Sequence, residues 1–149
     1  MNDNERNTAY CGLFCTDCIP SDRRLFEVAD ELSDLLRQVG FEHYAALKAK
    51  RISALEGYPT FAQVLREICS LRCAASCRDG GGNPECRVRK CALDRSYAGC
   101  WECDAFAACE LLQPLRDFHG DNINHNLEMI RRHGLAKWTP YRRKHYPWS

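Results

Sequence analysis

Apolar residues recur at three- and four-residue steps through Leu25, Val28, Ala29, Leu32, Leu35, Leu36 and Val39, the period of one helical face. Ser21 stands where an N-cap belongs, Asp22 suits the first turn of the helix dipole, and Gly40 can close the last turn. Tyr44, Leu47, Ala49, Ile52 and Leu55 mark a second, weaker helix ending before Gly57 and Pro59. Thr60 and Gln63 fit a capping box. The stripe Phe61, Val64, Leu65, Ile68 and Leu71 follows it, and predicts a third helix that carries Cys69 and Cys73. From residue 73 to 103 neither the helical nor the strand period survives, and Gly80-Gly81-Gly82-Asn83-Pro84 can sustain neither element. Order returns in a helix from Asp104 through Phe106, Leu111, Leu112 and Leu115, kinked at Pro114. A final helix runs from Asp121 or Asn122 through Ile123, Leu127 and Ile130 to Gly134.

The expected fold class is therefore mainly α: a small, cysteine-rich single domain whose helices pack around an irregular, metal-stabilised loop region. Residues 1–20 hold the first cysteine group, 21–72 are a helical segment, 73–109 are the cysteine-rich loop region, and 110–149 carry the C-terminal helices and a basic tail. An aperiodic loop of about thirty residues inside a compact domain needs a replacement for the missing apolar material. Bound metal supplies one.

Composition changes the picture at one point only. Of 149 residues, 45% are hydrophobic and 28% charged, and 21 Lys+Arg nearly balance 20 Asp+Glu. These are ordinary globular values, and they single out neither a nucleic acid nor an anionic membrane as partner. No apolar run is long enough to span a membrane, and residues 1–10 lack the apolar stretch of a secretory signal, so the expected compartment is the cytoplasm. The unusual figure is eleven cysteines. In a reducing compartment so many thiols point to metal or redox chemistry, and an odd number leaves one over in any all-disulfide scheme.

The spacing points the same way. Cys15/Cys18 and Cys100/Cys103 are separated by two residues, so each pair can bite one ion, and structural zinc sites are commonly built from such separated pairs. Cys11 lies ahead of the first pair, Cys73 and Cys77 precede the glycine run, and Cys86, Cys91 and Cys109 complete the second group. Cys69 sits beside Ile68 with Leu65 one turn earlier, as a packed helix residue would. Zinc, as two ions, is the expected cofactor. All-thiolate ligation equally admits a [4Fe–4S] cluster in a redox or electron-transfer protein, and that alternative stays open. Cys11-x3-Cys15-x2-Cys18 matches the spacing of radical S-adenosylmethionine enzymes, but Asp17 replaces their usual aromatic residue and the chain encodes no partial barrel.

No acid, base or nucleophile constellation accompanies the thiols, so no catalytic residue is assigned. The expected role is a non-enzymatic module that binds a protein partner. A third reading is nucleic-acid binding through the tail. No acid follows Glu128, while Arg131, Arg132, Lys137, Arg142, Arg143 and Lys144 interleave with Tyr141, Tyr146 and Trp148. The plainer alternative is a basic tail docked on the acidic body. Arg87-Val88-Arg89-Lys90, between Cys86 and Cys91, is either a solvated loop face or a set of cations favouring neighbouring thiolates.

Tyr10-Cys11-Gly12-Leu13-Phe14-Cys15-Thr16-Asp17-Cys18 resembles the opening signature of a bacterial and archaeal cysteine-rich family of unknown function that is described as zinc-binding. The run from Cys77 to Ala92, with its Gly-Gly-Gly-Asn-Pro core, resembles the family further, as do Gly99-Cys100-Trp101-Glu102-Cys103, Cys109-Glu110-Leu111 and Leu71-Arg72-Cys73. Asn126-Leu127 through Gly134-Leu135-Ala136-Lys137-Trp138 is similar to a common C-terminal extension. Where the family has a tighter Cys-x-x-Cys, this chain has Cys73-Ala74-Ala75-Ser76-Cys77. The resemblance implies metal ligation by Cys11, Cys15, Cys18, Cys73, Cys77, Cys86, Cys91, Cys100, Cys103 and Cys109. It implies no reaction.

Overall fold

The computed structural model describes residues 2–146 and is mainly α-helical; among these residues strand pairing is confined to an isolated antiparallel bridge between Thr8 and Phe14. The chain divides into two compact units, one made of the residues up to Ser21 together with those from Cys73 onward, the other of Asp22–Arg72.

The Asp22–Arg72 unit contains three of the helices the periodicity predicts, with shifted ends. Helix α2 spans Arg23–Gln38, and its cap is Asp22, whose carboxylate accepts from the Leu25 amide at 3.1 Å. Ser21 is not the cap: its hydroxyl donates to the carbonyls of Cys15 and Cys18. Gly40, at φ 62°, closes α2 in the left-handed region and leads directly into α3, Phe41–Ala49. A separate 3₁₀ turn over Ser53–Gly57 replaces the end of the second expected helix. Helix α4, Tyr58–Ser70, starts before Thr60, so no capping box forms there. Pro59 lies in the first turn, where its missing N–H costs nothing. Helix α4 ends at Ser70, so it carries Cys69 but not Cys73. Phe26, Ala29, Ala45 and Leu65 are the buried apolar residues of this unit, whereas Leu25, Val28, Leu32 and Leu35 on the α2 stripe stay exposed.

In the other unit a short helix, α1 (Asp3–Asn7), leads into the Thr8–Phe14 bridge. The region expected to be loop contains helix α5, Arg87–Asp94. It escaped the periodicity because eight residues offer Val88, Cys91 and Ala92 as their inward positions, and only one of these is strongly hydrophobic. The expected helix from Asp104 is instead two 3₁₀ turns, Phe106–Ala108 and Glu110–Leu112, ahead of α6, Gln113–His119. Pro114 begins α6 rather than kinking a longer helix. Helix α7 runs Asn122–His133 and stops at Gly134. Its inward face, Ile123, Asn126, Leu127 and Ile130, follows the 3.6-residue period and is almost wholly buried. Leu127 and Ile130 join Phe14, Val88, Trp101, Phe106, Leu112 and Trp138 in one apolar core, and Cys11, Cys77, Cys86, Cys100 and Cys109 pack against it.

Candidate metal centre

Ten of the eleven cysteines belong to this core-bearing unit, and Cys69 alone falls in the Asp22–Arg72 unit. All eleven are free thiols. In its own unit Cys69 neighbours Asp30 and Asp34; burial raises its pKa first, and Asp30 adds to the rise.

Backbone hydrogen bonds bring the sequence-distant cysteines together. The Cys73 amide donates to the Pro20 carbonyl at 2.8 Å, which places Cys73 beside the Cys15–Cys18 turn. The Cys100 amide donates to the Tyr10 carbonyl at 2.8 Å, which sets Cys100 next to Cys11. Short 3₁₀ turns over Cys15–Asp17 and Cys100–Glu102 fold each two-residue spacer back on itself, and the Cys18 and Cys103 amides donate to the carbonyls of Cys15 and Cys100. The close-spaced pairs thus have the local turn that chelation needs.

Three neighbourhoods of sulfur result. Burial raises the Cys15 thiol pKa, the Cys77 backbone amide opposes the rise, and Cys77, Cys73 and Cys18 add to it by charge repulsion. Burial also raises Cys18; the Tyr146 hydroxyl, 3.6 Å from its sulfur, opposes this, and Cys73 reinforces it. Cys100 is pushed up to about 12, first by burial and then by Cys109, Cys91, Cys103 and Cys86. Cys91, Cys100, Cys103 and Cys109 line a cavity of about 30 Å³, closed from the apolar side by Ala92, Phe106 and Leu112. Burial raises Cys11 strongly, a Leu13 backbone contact lowers it, and Cys77, Cys100 and Cys86 raise it further. The sulfurs stand apart as thiols: among the described residues no three donors from Cys, His, Asp or Glu are gathered into a ready-made metal cage. Each neighbourhood would have to contract around an ion.

Arginines hold the loops that carry these sulfurs, a role the sequence did not disclose. Arg89 Nη1 donates to the carbonyls of Cys77 and Gly81, and its Nη2 to those of Asn83 and Pro84, so one guanidinium staples the glycine loop. Arg89 sits on α5 rather than on a loop face, and its amide donates to the Cys86 sulfur at 3.5 Å. A Cβ on Gly81 would collide with the Ala75 carbonyl, so this glycine lets the two strands of the loop close up. Arg116 bonds the carbonyls of Cys109 and Phe106, while Arg78 bonds those of Thr8 and Ala98 and lies over the rings of Tyr10 and Trp101. Arg95 lies beside the Tyr97 hydroxyl and the Cys91 thiol.

The C-terminal segment docks on the same unit. Arg142 grips Asp17 through two bonds of 2.6 and 2.9 Å, and Arg131, Arg132 and Arg143 pair with Asp104, Glu128 and Asp121. Four of the six basic residues after Glu128 are therefore neutralised by carboxylates. Tyr141 stacks on His133 with centroids 3.8 Å apart, and Trp148 lies outside the described residues. Two buried histidines also stand in this segment's path. His119 Nδ1 meets the His145 carbonyl at 2.7 Å, while no partner reaches either ring nitrogen of His145 at bonding geometry.

Burial, with His119 as the next cause, lowers the His145 pKa to about 4; Asp17 and the Phe14 backbone oppose this, and Arg142 reinforces it. The fold therefore favours neutral imidazole, whereas the unfolded chain takes up a proton below about 6.5. The stabilisation is complete above that value and is lost as the pH falls from about 6.5 to about 4. By pH 5 the loss attributable to His145 should approach about 2 kcal/mol. Urea midpoints of wild type and His145→Leu at pH 7.5 and 5 check this: the wild type should lose more stability than the variant.

The match to known families falls on the cysteine-bearing part of the chain. A family model for a protein of unknown function, DUF3795, covers residues 7–114, which include all eleven cysteines. The chain belongs to the DUF3795 family. The matched region ends as α6 begins, so α7 and Trp138, which complete the core, lie beyond it. No curated protein and no solved structure matches the chain. Among the described residues no helix is long and apolar enough to cross a membrane.

Proposed function

We propose that this protein is a zinc-binding module, with one ion held by Cys15, Cys18, Cys73 and Cys77 and another by Cys91, Cys100, Cys103 and Cys109. The observation that carries this reading is the cavity between the last four thiols. These four thiols line one small cavity, so contraction of the loops that carry them would bring four sulfurs to one centre, the donor set of a structural zinc. Four thiolates would serve a [4Fe–4S] cluster as well; the paired two-residue spacings of Cys15/Cys18 and Cys100/Cys103 are what favour tetrahedral zinc. The raised pKa values of Cys15 and Cys100 support the reading too: burial is the first cause, and neighbouring sulfurs that would repel a thiolate add to it, a penalty that a divalent cation would offset.

No catalytic role is assigned. Both quartets use four protein ligands, so neither ion keeps the open position at which zinc activates water. The module presents a fold held by metal, and a protein partner would bind its surface.

Elemental analysis of Cys→Ser variants tests the assignment. Cys69→Ser should leave the zinc content unchanged, while Cys103→Ser should lower it by about one ion per chain. Zinc lost from Cys69→Ser but not from Cys103→Ser would overturn it. A brown preparation with stoichiometric iron and acid-labile sulfide would overturn the choice of zinc.

A further inference from the structure

We infer that the Asp22–Arg72 unit binds a small organic anion, a carboxylate or phosphate carried on a flat apolar body, in the cleft between helices α2, α3 and α4. The inference is independent of the zinc reading, because none of the cysteines assigned to zinc lies in this unit.

The cleft follows from how the three helices meet. Helices α2 and α4 run antiparallel: Asp30 meets Arg72 at 3.7 Å towards one end, and Leu36 and Arg37 share the cleft with Tyr58 and Ala62 towards the other. Gly40, in the left-handed region, turns the chain from α2 straight into α3. What α3 then buries is Ala45, and a methyl group is too small to fill the corner between two helices. The rings of Phe41 and Tyr58, with centroids 5.1 Å apart, wall the corner instead. About 320 Å³ stays open, at the lower end of the range of small-molecule pockets.

The lining has an apolar part and a set of free donors. Leu36, Phe41, Ala62 and Leu65 supply the apolar part. Arg37 on α2 and Arg66 on α4 also line the cleft, as do the hydroxyl-bearing side chains of Ser33 and Tyr58. Among the described residues Arg66 pairs with no carboxylate, and neither hydroxyl has a protein partner. Arg37 gives one nitrogen to Asp34 at 2.7 Å, which leaves most of its five N–H donors unused. A guanidinium is planar, and its fork matches two oxygens of a carboxylate or a phosphate. Two such groups outweigh the carboxylate of Glu42, so the cleft favours an anion over a cation. The apolar wall adds a second requirement. A bare inorganic anion leaves that wall unfilled, and a neutral hydrocarbon leaves the guanidiniums without a counter-charge.

Calorimetric titration of the full chain with 1-naphthoate and with 1-naphthyl phosphate tests the site, and the two arms separate a carboxylate from a phosphate headgroup. At least one anion should bind saturably, at one per chain. Neutral 1-naphthylmethanol should bind about tenfold more weakly, since it gives the guanidiniums no charge-assisted bond. Arg66 is exposed, so Arg66→Gln should keep the wild-type circular dichroism while weakening the anion about tenfold. Leu32→Ser, on the exposed α2 stripe and outside the cleft, should bind as the wild type does. No saturable binding of either anion would overturn the proposal, as would an alcohol that binds equally well or an Arg66→Gln variant of unchanged affinity. Binding lost in Leu32→Ser but kept in Arg66→Gln would overturn it too, by placing the probe on the stripe.

Discussion

Chelation of zinc should unfold the cysteine-bearing unit and leave the helices of residues 22–72 in place. Each structural zinc contributes roughly 10–16 kcal/mol of apparent binding energy, as much as or more than the net stability of an ordinary domain. The segment from 73 to 103 offers few apolar residues of its own, Val88, Ala92 and Trp101 being its buried ones. With the ion removed, the thiols lose their common partner and the 3₁₀ turns keep only local hydrogen bonds. Tryptophan reports on this selectively, because all three tryptophans follow Cys73 in sequence and Trp101 and Trp138 are both buried in the core of that unit. Emission should shift to the red on chelation, while a substantial part of the far-ultraviolet helix signal persists. Unchanged emission and unchanged protease resistance would show that the thiols hold nothing structural.

Replacing Trp138 with alanine should cost about 3–5 kcal/mol, the loss expected for a large aromatic side chain removed from a close-packed core. Trp138 is fully buried, and its indole N–H donates to the Thr8 hydroxyl at 2.9 Å. Thr8 in turn donates to the Asn4 carbonyl at 2.6 Å, and the Phe14 ring meets the indole edge-on at 6.1 Å. The alanine variant therefore opens a cavity and leaves a buried hydroxyl one partner short. Trp138→Phe keeps most of the volume and loses the hydrogen bond, so it should cost distinctly less. Urea denaturation of the zinc-loaded proteins measures both. Equal stability of wild type and Trp138→Ala would contradict the packing.

The helices with long apolar stripes were legible in the sequence because period and burial agree in them. Helix α7 is the clear case: Ile123, Leu127 and Ile130 were expected on its buried face, and they lie there. Helix α2 shows the limit, since its stripe predicted the element, yet of the stripe only Ala29 is buried, beside Phe26, which the stripe did not include. Helix α5 was hidden because cysteine fills an inward position where periodicity looks for a larger hydrophobe. Proline misled twice in the same way: Pro59 and Pro114 lie in the first turns of α4 and α6, where the sequence reading put one before its helix and the other inside a kink. At the candidate site, the two close-spaced pairs were visible as pairs, and Cys69 falls in the other unit. What brings Cys73 to Cys18 and Cys100 to Cys11 was not visible, because single backbone bonds across long sequence separations leave no local pattern. The arginine staples were hidden for a related reason. Their partners are carbonyls, which every residue has.

The bond between the Cys73 amide and the Pro20 carbonyl has a consequence for how the chain could be cut and rejoined. It holds the two places where residues 22–72 leave and re-enter the cysteine-bearing unit within one hydrogen bond of each other. A segment whose ends meet at a single point can be lengthened, shortened or exchanged with little effect on its host, since closing a loop costs only slowly more as it grows. Replacing residues 22–72 by a few glycines and serines should therefore give a miniature with all ten clustered cysteines, and the removed stretch becomes a port through which other helices could be spliced.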